Sequence, residues 1–326
     1  MMTNLHLPAL DIIIVNWNAG PALHDCLKSV AQSAHEGWLL NRVVVVDNAS
    51  TDGSADRLDG LGLPLTVIRS SRNWGYAAAC NLGAQGATAE YLLFLNPDTR
   101  LTSDALSKSI QYISASEQHK IGILGIQLVD EIGNVSRTCA RFPSVSMFLT
   151  RMLGVGRVLR RYFPEQFYTE WDHKSSRPIE QVMGAYFLVR SSLFKKLGGF
   201  DERFFVYFEE VDFSLRARYA GWDTFFLASA QCHHRGGGSS DQIKARRLYY
   251  SLQSRLFYAF KHFGRGKTAV LVLATLLIEP ISRIAQGIIR ASPKRVFEVL
   301  HGYALLYLAL PRILARTRRL RASNPG

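Results

Sequence analysis

The sequence predicts an α/β fold, a mostly parallel sheet flanked by helices, followed by a basic helical extension. Three observations carry that expectation. Through the first 240 residues, short and almost purely apolar runs alternate with helix-like segments, the pattern of strands buried on both faces of a parallel sheet. Several of these runs end on acidic, amide or imidazole side chains. Beyond Ser240 the pattern becomes helical, and Lys and Arg accumulate. No internal repeat is visible. The expected organisation is residues 1–240 as one domain and 241–326 as an appendage.

Residues 11–16 read as a strand, apolar from Ile12 to Val15. Residues 21–33 read as a helix with Leu23, Leu27 and Val30 on one face. Residues 43–46 form a second buried strand and run into Asp47-Asn48-Ala49-Ser50-Thr51-Asp52-Gly53-Ser54, a turn leading to a short helix around residues 55–58. Residues 65–69 are a third strand, 76–88 an alanine-rich helix, and 91–95 a strand running into Asn96-Pro97-Asp98-Thr99. A helix follows, capped by Thr102 or Ser103. Residues 141–178 are irregular, basic and aromatic, either a mobile connection or a surface excursion. Residues 182–189 look like a strand, followed by a helix ending at Gly198-Gly199. The run Phe204-Phe205-Val206-Tyr207-Phe208 leads into Glu209-Glu210-Val211-Asp212 and a helix over 209–220, stopped by Gly221. A last run ends in His233-His234-Arg235-Gly236-Gly237-Gly238.

Bulk properties narrow the class. A chain of 326 residues buries a sizeable core. Its four cysteines, Cys26, Cys80, Cys139 and Cys232, are widely spaced, which argues against a disulfide framework and fits a reducing compartment. The first six residues lack the basic-then-apolar pattern of a signal peptide. Net charge is +13, and from Lys261 onward twelve Lys and Arg face only Glu279 and Glu298. Two uncharged stretches, 268–278 and 299–310, lie among these basic residues, ended by Glu279-Pro280 and Pro311. Each is shorter than the roughly 20 apolar residues that span a bilayer. They suit amphipathic helices lying on an anionic membrane surface. A buried hairpin closing the domain is the alternative. Nucleic acid is disfavoured, because the basic residues are interleaved with aliphatic runs rather than with an aromatic platform. A dinucleotide-dependent oxidoreductase is disfavoured too, because Asn16-Trp17-Asn18-Ala19-Gly20 follows the first strand where Gly-x-Gly-x-x-Gly belongs.

Ligands of open α/β sheets bind beyond the carboxyl ends of the strands. Carboxylates and an imidazole gathered there can hold a divalent cation and move a proton. Asp98 is the leading metal candidate, although Asn-Pro-Asp is also good turn chemistry. Asp47 can accept hydrogen bonds from a ring N–H or a hydroxyl, whereas Asp52 reads as a turn or cap residue. Glu209, Glu210 and Asp212 complement the dipole of the helix they begin, and Asp212 can pair with Arg216 one turn on. Three carboxylates among aromatic rings also imply displaced pKa values, which a general base needs. Of the adjacent His233 and His234, a strand points only one toward a given face. Neutral imidazole ligates manganese better than magnesium. Cys232-His233-His234 lacks the spaced thiols of a zinc site.

In order and spacing, Ile14-Val15-Asn16-Trp17-Asn18, the Asp47 segment, Asn73-Trp74-Gly75-Tyr76, Leu95-Asn96-Pro97-Asp98, Gly198-Gly199-Phe200-Asp201-Glu202 and the Glu209 and His234 segments resemble family 2 glycosyltransferases of the GT-A fold, closest to the bacterial rhamnosyltransferase-like branch. The match runs from about residue 11 to about 240. The resemblance implies an inverting transfer from a nucleotide-diphosphate sugar, first choice dTDP-L-rhamnose, with galactose, glucose or N-acetylglucosamine from a UDP donor as alternatives. It implies a polyprenyl-diphosphate-linked saccharide acceptor, envelope polysaccharide synthesis and a peripheral place on the inner face of the cell membrane. It assigns Asp47 to the nucleotide base, and Asn16, Arg72, Asn73, Gly75, Asn81 and Asn96 to the nucleotide. Asp98 and His234 are assigned to Mn2+ or Mg2+. Glu210 becomes the base and Glu209 a residue orienting the acceptor, with Gly184, Ala185 and Asp212 near acceptor or donor sugar. Two departures stand out: Asn96 replaces the first acid of Asp-x-Asp, and Glu210 is one methylene longer than the common Asp.

Overall fold

Ile12 and Ile14 face one side of strand β1 (Ala9–Asn16), Ile13 and Val15 the other, and all four are buried. In the computed structural model the described residues are 7–115, 120–156, 161–236 and 243–322, without the side chains of 318–322. They divide into two compact units: Met1–Arg141 with Phe167–Glu202 and Glu209–Ser239, and Phe142–Gln166 with Arg203–Phe208 and Ser240–Gly326. The second unit thus draws on two segments upstream of residue 241.

The first unit is a mixed sheet with helices on both faces. Its strands are β1, β2 (Leu39–Asp47), β3 (Leu65–Arg69), β4 (Tyr91–Leu95), β5 (Thr99–Leu101), β6 (Ile121–Val129), β7 (Arg177–Ile179), β8 (Tyr186–Arg190) and β9 (Asp223–His234). They lie in the order β3-β2-β1-β4-β8-β6-β9-β5, with β7 paired to β9. The run β3-β2-β1-β4 is parallel, and β8 runs against both β4 and β6. One face packs on α1 (Ala22–Ala31) and α3 (Ala105–Ala115). The other packs on α2 (Tyr76–Gly83), α5 (Ser191–Lys196) and α6 (Glu209–Tyr219). Gly83 brings α2 close to β1, since a Cβ there would meet Ile13 Cγ2 at 2.6 Å. Register puts Asn16 level with Asp47 and Ile14 level with Leu95. The carboxyl ends of β1, β2 and β4 therefore open on one edge.

Three local expectations change. No helix forms at residues 55–58: a turn closes from Asp56 N–H to the Gly53 carbonyl, and Arg57 sits at φ 55°, which a right-handed helix cannot continue. The helix from Tyr76 stops at Gly83 rather than at 88, with Gly86 left-handed beyond it. β6 went unread in the sequence, although all nine of its residues are buried.

The second unit contains α4 (Val145–Met152), α7 (Lys244–His262), α8 (Arg265–Leu273), a π-helical turn (Ala274–Ile278), α9 (Glu279–Ile289) and α10 (Pro293–Ala322). Phe148, Met152, Ala259, Leu271 and Ala274 form its core. Gly302 lets α10 close on α7, where a Cβ would lie 3.0 Å from the Ala245 carbonyl oxygen. Tyr207 and Phe208 hold positive φ angles of 68° and 71°, rare for aromatic residues. Phe208 is packed against Phe148 and Tyr258, and Ser254 donates to the Val206 carbonyl.

The expected helix stops do not occur. Pro280 has no N–H to offer the Leu276 carbonyl, but the Tyr307 hydroxyl donates to it at 2.6 Å, and the π turn absorbs the crowding. Pro311 likewise lies inside α10. Helical segments of 25 residues therefore run over Arg265–Ile289 and Pro293–Thr317, long and apolar enough by length and composition to cross a membrane. This corrects the expectation that the uncharged stretches fall short. Leu271, Val299, Tyr303, Leu306 and Ile313 are buried, whereas Leu273, Leu277, Ile281, Ile288, Leu300 and Leu308 are exposed.

Candidate active site

The turn after β2 is built around amides. Asn16 Nδ2 lies 3.2 Å from Asp47 Oδ1, 3.0 Å from Ser50 Oγ and 2.8 Å from Ser54 Oγ. Asp47 also accepts from Ser50 N–H and stands 3.6 Å from Arg69 Nη1. The neighbouring Asn48 is buried and reaches the next loop: Nδ2 donates to Asn73 Oδ1 at 2.9 Å and to the Gly75 carbonyl, while Oδ1 accepts from Trp74 N–H. Gly75 takes φ 89°, a conformation open to glycine, and so turns the chain into α2. Arg72 stacks over Trp74 at 3.6 Å. Sequence reasoning did not single out Asn48 as a site residue. Its place directly after Asp47 was the available signal.

Beyond β4, Asn96 and Gly184 are joined by one hydroxyl: Tyr76 Oη lies 3.3 Å from Asn96 Oδ1 and 3.4 Å from the Gly184 carbonyl. Burial, then the charges of Cys80 and Glu209, push the Tyr76 phenol well above its usual range, so it stays a donor. Ala185 is fully buried, and its carbonyl accepts from Asn96 N–H. Gly184 faces Glu210: a Cβ on it would lie 3.8 Å from Glu210 Cβ and Cγ.

Asp98 and His234 meet because β5 pairs antiparallel with β9, Thr99 opposite His234. His234 Nε2 lies 3.4 Å from Asp98 Oδ1, and the two side chains keep 12% and 14% of their surface exposed. His233 turns the other way, its Nδ1 3.3 Å from the Asp130 carbonyl. Gly237 and Gly238 lie outside the described residues. Among the described residues no group of three His, Cys, Asp or Glu side chains is placed to hold a metal.

Glu209 and Glu210 open α6. Glu209 is buried, with Oε2 unpartnered, and burial followed by the Glu210 charge raises its pKa well above the usual 4.5. Burial thus favours its neutral form. Glu210 is half-buried, with Oε2 out of solvent, and faces Gly184. The chemistry available here is proton transfer by a carboxyl pair, one member of which is buried.

Two expected site residues are not brought to this edge. Asn81 spends its amide on the following loop: Nδ2 donates to the Phe200 carbonyl and Glu202, and Oδ1 accepts from Phe200 N–H. Asp212 is fully buried and bonded to Arg216 Nε at 2.8 Å, and Arg216 also ties down the Leu197 and Gly199 carbonyls. The expected Asp212–Arg216 pair forms, but inside the fold rather than on the helix surface. Both residues brace the loop from α5 to α6.

Comparison with known proteins now fixes the class. Residues 11–212 match the glycosyl transferase family 2 model, and the chain belongs to that family. It is a glycosyltransferase that uses nucleotide sugars. The chain is 28% identical over 272 residues to the N-acetylglucosaminyl-diphospho-decaprenol L-rhamnosyltransferase of Mycobacterium tuberculosis strain H37Rv, covering 78% of this chain and 85% of that one. It is 26% identical over 173 residues to the rhamnosyltransferase WbbL of Escherichia coli K12, covering 53% and 62%. The mannosyltransferase PcManGT from Pyrobaculum calidifontis, solved with GDP-Man and Mn2+, superposes with a TM-score of 0.53 at 20% identity over 96% of this chain and 84% of that one. That likeness shows the GT-A fold.

Proposed function

We propose that the chain transfers L-rhamnose from dTDP-L-rhamnose, with inversion, to a polyprenyl-diphosphate-linked saccharide at the inner face of the cell membrane. The observation that carries the chemistry is the half-buried Glu210, set against Gly184 beside the buried Glu209, whose neutral form burial favours. The Gly184 carbonyl shares the Tyr76 hydroxyl with Asn96. The sugar and the acceptor class are supported by the two rhamnosyltransferase relatives, one of which is named for a decaprenol-linked substrate.

In this reading Asp47, with Asn16 behind it, receives the pyrimidine or ribose. Asn48 fixes Asn73 and Gly75 along the nucleotide, where Arg72 and Trp74 form a wall. Glu210 removes the proton from an acceptor hydroxyl. That oxygen attacks the anomeric carbon as the bond from carbon to the diphosphate oxygen breaks, and the nucleoside diphosphate leaves.

Asp98 and His234 fit a divalent cation. Their ligating atoms are close, partly open to solvent, and of the hard-oxygen and imidazole types that suit manganese. Such an ion supplies Lewis-acid neutralisation of the leaving diphosphate. With Asn96 in place of an acid, the described protein ligands would be few, and Asp98 and His234 would hold the ion.

The test is a panel of dTDP-rhamnose, UDP-galactose, UDP-glucose and UDP-N-acetylglucosamine with a polyprenyl-diphospho-N-acetylglucosamine acceptor, reading nucleotide diphosphate release. Fastest turnover with dTDP-rhamnose supports the proposal. Fastest turnover with a UDP sugar replaces rhamnose by that sugar. The membrane arm is salt-sensitive pelleting with anionic liposomes, expected from the basic tail and the exposed apolar helix faces.

A further inference from the structure

The helical unit gathers more guanidinium groups than carboxylates around Glu279. Glu279 is 2% exposed and takes Arg283 on one oxygen, Nε at 2.9 Å and Nη2 at 2.7 Å, and Arg255 Nη2 on the other. The Arg255 side chain is 9% exposed, and its Nε is buried with no hydrogen-bond partner among the described residues. Thr275, one helical turn before Glu279 and on the same face, is fully buried, and its Oγ1 is also unpartnered. A third guanidinium stands nearby. Arg151 of α4 is an exposed residue, yet desolvation, then repulsion by Arg283 and Arg255, lowers its pKa, with Glu279 opposing. α4 is tied to α9 at this point by Ser282 Oγ donating to the Met152 carbonyl.

Three guanidiniums around one carboxylate are a poor way to stabilise a helical core. Repulsion among them costs free energy, and the unmet N–H of the buried Arg255 adds to it. A second anion relieves both costs, and guanidinium forks match phosphate oxygens. We propose that Arg151, Arg255 and Arg283, with Thr275, form an anion site in the helical unit that takes a phosphate or diphosphate. In naming its source as the diphosphate of a lipid-linked acceptor, this rests on the proposed function. The exposed apolar residues Leu273, Leu277 and Ile281, on the same continuous helical segment as Thr275 and Arg283, suit a prenyl chain attached to such a headgroup.

Arg151→Gln is the cleanest probe, because Arg151 makes no bond to Glu279 and its loss leaves the Arg255–Glu279–Arg283 lock intact. Binding of inorganic pyrophosphate to the full-length protein is measured by calorimetry in chelator, with excess dTDP occupying the nucleotide site. Loss of one charge-assisted contact is expected to weaken it about tenfold, with dTDP affinity in manganese unchanged. Arg283→Lys, which keeps the charge but not the fork, is expected to fall between Arg151→Gln and wild type. Unchanged pyrophosphate binding in Arg151→Gln, or pyrophosphate binding abolished by dTDP in the wild type, overturns the site.

A second arm separates the sources. A raised KM for polyprenyl-diphospho-N-acetylglucosamine, with kcat and the KM for a phosphate-free alkyl N-acetylglucosaminide unchanged, assigns the site to the acceptor headgroup. Weaker pyrophosphate binding with both KM values unchanged assigns it to free phosphate and leaves the anion site standing. If the protein transfers to no polyprenyl acceptor at all, the proposed function fails, while the calorimetric arm still decides the site.

Discussion

At the β1–β2 edge, Asn16 is set against Asp47, Ser50 and Ser54, and Asn48 uses both ends of its amide on the loop from Asn73 to Gly75. At the start of α6, Glu209 is buried with a carboxyl oxygen that nothing contacts, beside a second carboxyl group. The first region is nearly saturated with hydrogen bonds, with Asn16 Oδ1 the exception. The second is left electrostatically uncomfortable. The difference matches two tasks. In the proposed reading a nucleotide is held by groups already in place, which cuts the ordering cost of binding. A proton is moved in that reading beside a carboxyl group whose pKa burial raises, and burial does that only where compensation is withheld.

Substitutions in each region should therefore fail differently. The largest effect is expected at Asp98, the proposed metal ligand. Asp98→Ala should abolish turnover and weaken nucleotide binding in manganese while leaving the melting temperature near wild type. Full activity in this variant, or undiminished wild-type activity in chelator, would remove the metal role.

Asp212→Asn comes next and should act on stability alone. It leaves the part-buried Arg216 without its ion, at a cost of about 1–3 kcal/mol, read by denaturant unfolding. Donor and acceptor KM should hold at temperatures where the variant is folded. A selective rise in acceptor KM would restore Asp212 to the sugar site.

Asn48→Ala orphans the Trp74 N–H and removes a donor from Asn73 and Gly75, worth about 1–3 kcal/mol. The loss should appear as weaker dTDP binding with kcat for bound donor little changed. A kcat loss without a binding loss would break the division of labour.

The smallest effect is a pH dependence. Glu209 has a folded pKa raised above 4.5, so the native state keeps a proton that the unfolded chain releases. Its contribution is fully present below 4.5 and is lost as pH rises from there through the raised value. Glu209→Gln cannot ionise, so its stability relative to wild type should climb with pH across that window. A pH-independent difference would mean that Glu209 is ionised in the fold.

Much of the site was legible because its chemistry sits where strands end. Asp47, Asn96, Asp98 and His234 each close an apolar run, and strand alternation leaves only one of His233 and His234 facing Asp98. What stayed hidden depends on partners distant in sequence. Asn81 and Asp212 are residue types that serve a ligand as well as a brace, and only Phe200 and Arg216 show which. Pro280 reads as a stop until Tyr307, in another helix, supplies the missing donor. β6 contains two glycines and no polar alternation, so its period identifies no face. The reversal of β8 is a property of the sheet, which the local run cannot encode.

The central claim is that Glu210, not Glu209, takes the acceptor proton. The direct test compares Glu210→Gln with Glu209→Gln in single-turnover transfer, with donor affinity measured on the same preparations. Glu210→Gln should lose about 10²-fold or more in turnover with donor affinity intact, and Glu209→Gln, which preserves a neutral side chain, should lose much less. A larger loss in Glu209→Gln would contradict the assignment and make the buried acid the base.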